Sequence, residues 1–184
     1  MKKIFNKTLI IGFKKGLGNE LLKAFKTYSK SIIGLDQDEW DNSDKNAEIF
    51  FEKYIKSFSY DLIILNAHIG FNALSLLNKI CKFYKSGLTL IVIGSIVTDQ
   101  TRKKYYEYYL EKSALEQAVR QLQFEYENID ISLFKPGWID TDFIKKINGI
   151  KMSPDKVSKY ILDLTLISKK YNFQLIKNSF IGKK

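Results

Sequence analysis

Ser95, Tyr108 and Lys112 are of the types, and at the spacings, from which a proton-transfer site can be built. In Tyr108-Tyr109-Leu110-Glu111-Lys112 a phenol and an ammonium stand four positions apart. On a helix that spacing stacks the two side chains on one face, a turn apart. A free tyrosine has a pKa of about 10, so bringing it to ~7 takes roughly 4 kcal/mol. A cation at ~4 Å supplies about that much at an effective dielectric of about 20, so one well-placed lysine is of the right size. Ser95 adds a neutral hydroxyl that can hydrogen-bond a substrate oxygen without competing for the proton. The pair by itself is weak. The chain has 11 tyrosines and is rich in lysine, and an amphipathic helix with a solvated lysine also produces it, so the weight rests on the segments around it.

Those segments alternate between apolar runs and helical spacing. Thr8-Leu9-Ile10-Ile11 reads as a buried strand ending at Gly12, and Gly12-Phe13-Lys14-Lys15-Gly16-Leu17-Gly18 follows it. Leu17, Leu21, Leu22 and Phe25 then keep a helical period, with the helix expected over Asn19–Tyr28. Strand, glycine turn and helix is an arrangement that lets backbone approach a pyrophosphate at a helix N-terminus. A plain tight turn would explain three glycines equally well. Ser31–Leu35 is a second strand closed by Asp36, placed where a carboxylate takes the hydroxyls of an adenosine ribose; a solvated loop aspartate has the same spacing. Glu39-Trp40-Asp41 reads as a stunted strand. Ser43 or Asp44 is positioned to cap a helix through Ile49, Phe50, Phe51, Tyr54 and Ile55.

Asp61–Asn66 is the clearest buried strand, nearly all apolar as a parallel sheet requires, with Asn66-Ala67-His68 at its C-terminal end. His68, the one histidine of the chain, reads as a loop residue rather than a catalyst. A helix through Leu74, Leu77, Ile80, Cys81 and Tyr84 is expected to stop at Gly87. Leu88–Ile93 leads to Ser95, and the Tyr108 helix runs to about Tyr126. Ile129–Phe134 ends in Lys135-Pro136-Gly137, Ser153-Pro154-Asp155 starts a helix, and Asn172–Ile176 is a last strand. Such alternation predicts an α/β fold, a doubly wound parallel sheet in a single domain over residues 1–184.

Composition narrows the function classes. At 184 residues and 45% hydrophobic the chain can bury a core. No uncharged apolar run approaches the ~18 residues needed to span a bilayer, and the basic start, broken by Asn6 and Lys7, does not read as a signal peptide. One cysteine, Cys81, excludes an internal disulfide framework and fits a cytoplasmic setting. With His68 alone beside it, no zinc site is expected. The net charge of +10 comes from lysines scattered along the chain, without a dense basic run interleaved with aromatics, so nucleic acid is not the expected partner.

In this order the motifs resemble those of the short-chain dehydrogenase/reductase family, over Leu9 to about Leu166. Gly12, Gly16 and Gly18 match its G-x-x-x-G-x-G cofactor turn. Asn66-Ala67 matches its Asn-Ala-Gly motif, with His68 in place of the glycine. Ser95 precedes Tyr108 by the family's usual interval, Tyr108 and Lys112 fit its Tyr-x-x-x-Lys, and Pro136-Gly137-Trp138-Ile139-Asp140-Thr141 resembles its Pro-Gly-x-x-x-Thr loop. The resemblance implies a Rossmann fold and hydride transfer between a nicotinamide cofactor and a small carbonyl or alcohol. It assigns Tyr108 as proton donor, Ser95 as holder of the substrate oxygen, and Lys112 as ribose ligand that lowers the Tyr108 pKa. Asn72 stands near the family's helix asparagine, an anchor for a proton-relay water. Lys15, Leu17, Asp36, Asn66, Ala67, Pro136, Gly137, Ile139 and Thr141, with the three glycines, fall at cofactor-binding positions.

The chain also departs from the family. Between Asp36 and Asp61 there is too little room for a helix, a strand and a second helix. Between Thr141 and Ser153 the substrate-covering segment is cut to a stub. A binding-only relative, a dinucleotide sensor or partner subunit without turnover, is the alternative reading. NAD(H) is expected over NADP(H), because Asp36 repels a 2′-phosphate at close range while Lys14 and Lys15 act from a solvated loop. Apolar residues on more than one face of the helices after Asn72 and around Tyr108 (Phe83, Tyr84, Tyr105, Tyr106, Tyr109) point to a homodimer or homotetramer.

Overall fold

The computed structural model describes residues 5–36, 44–99, 106–146, 148–167 and 174–176. Their strands are β1 (Phe5–Ile11), β2 (Ser29–Leu35), β3 (Leu62–Leu65), β4 (Thr89–Ile93), β5 (Asp130–Pro136) and β6 (Gln174–Ile176). They form one six-stranded sheet in the order β2-β1-β3-β4-β5-β6, and every pairing is parallel. The helices between them are α1 (Gly16–Lys26), α2 (Asp44–Phe50), α3 (Asn72–Tyr84), α4 (Glu107–Glu125) and α5 (Pro154–Ile167). A π-helical turn, Phe51–Lys56, continues α2. None is long and apolar enough to cross a membrane.

Parallel strands buried on both faces explain the unbroken apolar runs, since neighbouring side chains go to opposite layers. Leu9, Ile63, Leu65, Leu90, Val92, Ile131 and Leu133 pack with Leu76, Leu77 and Ile80 of α3 and Leu115, Val119 and Leu122 of α4. Ile10, Ile64, Ile91, Ile93 and Phe134 face the other way, against Leu17, Leu21 and Phe25 of α1 and Val157 and Ile161 of α5. Each such side chain contributes roughly 1.5–3 kcal/mol on burial. The chain runs from β1 outward to β2, then returns across β1 to β3. The strand order therefore reverses between β1 and β3, and their C-terminal ends open a crevice.

Several element boundaries differ from the sequence reading. The first helix begins at Gly16, inside the glycine turn. The third ends at Tyr84, where Lys85 takes a left-handed conformation (φ 55°), two residues before Gly87. Between Asp36 and Leu62 the described residues hold one helix and no strand. The expected strand Glu39–Asp41 and the capping residue Ser43 lie outside the described residues, as do Asn172 and Phe173 of the last strand.

Candidate active site

The crevice starts at the glycine turn, which is held shut by contacts no side chain could share. Gly12 has φ 88°, and a Cβ there would lie 2.6 Å from the Ala67 nitrogen. A Cβ on Gly18 would lie 1.8 Å from the Gly12 carbonyl oxygen, which also accepts a 2.7 Å hydrogen bond from Asn66 Nδ2. Glycine turn and Asn66-Ala67 thus form one interlocked piece at the ends of β1 and β3. Gly16 (φ 53°) sits against the methyl of Thr141, 2.8 Å from where its Cβ would be, and so brings the Pro136–Thr141 loop to the same place. The α1 N-terminus has no side-chain cap and no acidic residue in its first turn. At the end of β2, Asp36 Oδ2 accepts a 3.3 Å hydrogen bond from the Lys14 backbone.

A cavity of about 760 Å³ lies along this crevice, lined by Gly12, Lys15, Gly16, Leu17, Asp36, Asn66, Ala67, Pro136, Gly137, Ile139 and Thr141 and also by Ser95, Tyr108 and Lys112. Six stretches far apart in sequence therefore meet at one cavity. Gly18 stands behind the turn, its place taken by packing on Gly12. Asn72 is the first residue of α3 and is not among the residues lining the cavity.

The Ser95 hydroxyl acts on Tyr108 as a hydrogen-bonding neighbour that lowers the phenol's pKa. The Lys112 ammonium is almost wholly buried, 5% exposed, and donates a 2.9 Å bond to the Ile93 carbonyl at the end of β4. It lies 5.7 Å from the centre of the Tyr108 ring. Burial lowers its pKa to about 8, against the pull of Glu111. The expected depression of the Tyr108 pKa is not found. Burial pushes the phenol up, Tyr106 and Glu111 add to that, and the Ser95 hydrogen bond offsets only part. The reason is position: the ammonium binds a backbone carbonyl, and the low-dielectric surroundings that strengthen its field also disfavour a phenolate. Tyr108 is accordingly held protonated at neutral pH.

Sequence reasoning missed two sets of residues here. A buried cluster steadies the turn that carries Ser95. Lys135, 3% exposed, pairs with Asp99 and, at 2.9 Å, with Glu116 of α4. Glu116 also lies 2.7 Å from the Thr98 hydroxyl, which is 3.0 Å from the Ser95 carbonyl. The second set is His68 and Glu111. His68 is a loop residue, as expected, but its ring meets the Tyr108 ring at 4.9 Å and 65°. Its Nε2 is 3.2 Å from Glu111 Oε2. The available signals were a histidine in the glycine's place of a motif and an acid immediately before the lysine.

The segment from Trp138 to Met152 is tied at its base. Met152 donates a 2.7 Å backbone bond to Trp138, and Asp140 donates one of 2.8 Å to Met152. Gly149 packs against the Trp138 ring, where a Cβ would lie 2.4 Å from the nearest ring carbon. Trp138 and Ile144 line the cavity.

Known structures share this architecture. A short-chain dehydrogenase from Burkholderia cenocepacia, solved in complex with NADP, matches with a TM-score of 0.80 at 14% identity, over 96% of this chain and 90% of that one. A 3-ketoacyl-(acyl-carrier-protein) reductase from Brucella melitensis, complexed with NADH, matches with a TM-score of 0.74 at 15% identity, over 93% and 96%. A 7α-hydroxysteroid dehydrogenase complexed with NADH and 7-oxo glycochenodeoxycholic acid gives 0.76 at 13% identity, over 95% and 94%.

The fold is that of the short-chain dehydrogenase/reductases.

In sequence, by contrast, no protein-family profile matches the chain, and no curated protein does. What links the chain to the short-chain dehydrogenase/reductases is thus the backbone and the motifs seated on it. The glycine turn, Asn66-Ala67, Ser95, the Tyr108–Lys112 pair and the Thr141 loop all lie at the C-terminal ends of the strands, where open α/β sheets bind ligands.

Proposed function

We propose that the chain is a shortened short-chain dehydrogenase/reductase that reduces a small carbonyl compound with a nicotinamide cofactor. The observation that carries this reading is the single cavity shared by the glycine turn and by Ser95, Tyr108 and Lys112. The residues fit a dinucleotide. Glycines at positions 12 and 16 leave backbone, not side chain, at the crevice. The uncapped α1 N-terminus presents amide groups to a pyrophosphate, with Lys15 beside it. Asp36 is placed for the adenosine ribose, Lys112 for the nicotinamide ribose, and Asn66, Ala67, Pro136, Gly137, Ile139 and Thr141 line the space between.

When bound, a reduced nicotinamide supplies the hydride; the protein supplies orientation and the proton. The Ser95 hydroxyl holds the substrate oxygen, and the Tyr108 hydroxyl gives its proton to that oxygen as charge develops there. A phenol whose pKa is raised by burial is in the right state to donate at pH 7, which favours the reducing direction. Lys112, buried yet still mostly cationic below its pKa of about 8, stabilises the tyrosinate left behind. Asn72, the first residue of α3, would anchor a relay water rather than touch the reacting atoms.

Fluorescence titration with NADH and NADPH, followed by a panel of small aldehydes and ketones, tests the reading. Binding with turnover supports it. Binding without turnover on any carbonyl would leave the dinucleotide sensor or partner subunit as the function. Failure to bind either nucleotide would end both.

A further inference from the structure

His68 occupies a place that neither the fold nor the proton donor requires it to fill. Its ring packs edge-on against the ring of Tyr108, with centroids 4.9 Å apart. Its Nε2 meets Glu111 Oε2 at 3.2 Å, and Glu111 sits on α4 three residues after Tyr108 and immediately before Lys112. The loop is shaped to admit this carboxylate. Gly70 takes a left-handed φ of 56°, and a Cβ there would lie 2.9 Å from Glu111 Oε1. Glu111 is 12% exposed and His68 42% exposed, so the pair runs from the tyrosine outward towards solvent. His68 also lines the cavity with Ser95 and Tyr108. The charged and titratable groups facing it come from α4 and the residue before it: Glu107, Glu111, Lys112, Tyr106 and Tyr108.

We propose that His68 is a positioning residue for Tyr108, clamping the tyrosine ring between the Asn66–Gly70 loop and Glu111 and setting its donor strength through the charge on the imidazole. The inference rests on the reading of Tyr108 as proton donor. Neutral His68 can donate Nε2–H to Glu111 and hold the ring. Protonated, it adds a positive charge one ring away from the phenol, which makes that phenol the stronger acid. Burial and Lys112 keep the imidazole below its ordinary pKa, with Glu107 pulling the other way, so the charge arrives only on the acid side of neutrality. Carbonyl reduction then speeds up as pH falls through the histidine's titration. The clamp restricts a ring whose misplacement by an ångström can cost up to about a hundredfold in rate.

Because the chain has one histidine, its imidazole proton resonances need no assignment. They are followed against pH in the intact protein and in Glu111→Gln and Tyr108→Leu. The clamp predicts titration below 6.5 in the intact protein, a further drop in Glu111→Gln, and displaced resonances in Tyr108→Leu as the neighbouring ring current is lost. The pH profile of kcat is then compared between the intact protein and His68→Gln, which keeps a donor for Glu111 but cannot titrate. The acid-side rise in kcat should vanish in His68→Gln, with KM for the nucleotide unchanged within about twofold. Resonances indifferent to both substitutions overturn the clamp even in an active enzyme. Turnover with the same acid limb in His68→Gln overturns the control of Tyr108. If no carbonyl is reduced but the resonances respond as stated, the clamp stands and the reductase reading fails.

Discussion

Replacing Tyr108 with Phe deletes one oxygen from the cavity and leaves the ring that packs on His68. On the proposed mechanism this removes the proton donor alone. Tyr108→Phe should therefore lower kcat by about 10²–10⁴-fold, while nucleotide affinity by fluorescence titration stays within a few-fold. A near-normal kcat would move the donor elsewhere. Lys112 carries a cost that turnover does not show. Its pKa falls from 10.5 to about 8 on folding, so below pH 8 the folded state holds a disfavoured charge amounting to about 3 kcal/mol. Between 8 and 10.5 the unfolded chain binds more protons than the folded one, and stability rises with pH across that window. Lys112→Met removes the charge and keeps the length, at the loss of one hydrogen bond to Ile93, worth about 1–2 kcal/mol. It should abolish turnover yet melt at or above the wild-type temperature at pH 7, with that advantage shrinking as pH climbs past 8.

At the scale of elements, coenzyme choice sets a strand end against a loop. Asp36 closes β2 and is fixed by a backbone bond from Lys14, whereas the Lys14 and Lys15 side chains are exposed. A short-range carboxylate at a fixed position outweighs screened charges worth about 0–1 kcal/mol each, so NADH should be the preferred reductant. Asp36→Ala should move the kcat/KM ratio towards NADPH by at least about tenfold. An unaltered protein that already prefers NADPH would show that the lysines govern. The elements themselves were largely legible in the sequence, because strands buried on both faces must be apolar without a break, as in Leu62–Leu65 and Thr89–Ile93. The glycine turn was legible as a motif, but not that Gly18 serves packing against Gly12, which depends on the distant Asn66. The direction of the Tyr108 shift was not legible. Spacing puts a lysine a turn away but cannot tell that its ammonium binds Ile93 in a buried setting. His68, Glu111 and the Lys135–Glu116 cluster join residues 36–43 positions or 19 positions apart in sequence, and no local pattern announces such meetings.

For the molecule as a whole, α3 and α4 lie side by side on one face of the sheet and leave Phe71, Phe83, Leu110 and Phe124 exposed. Tyr84, expected on that outer face, is instead half-buried and donates its hydroxyl proton to the Phe58 carbonyl at 3.0 Å; Tyr105 lies outside the described residues. The exposed set still favours a second copy covering this face. Light scattering at micromolar concentration should report a dimer or tetramer, and Leu110→Lys with Phe124→Lys should yield a smaller species. A monomer in the unaltered protein would refute it. The segment from Trp138 to Met152, pinned at its base by two backbone bonds, has a further consequence for the time course of turnover. Many enzymes wait on a cover that must open before product leaves. A short loop already fastened has little to open, so on the proposed mechanism the transfer of hydrogen itself should be the slow event. Deuterium at the transferred position of the reduced nicotinamide should then slow steady-state turnover by the same factor as a single turnover, with no burst of product in the first cycle.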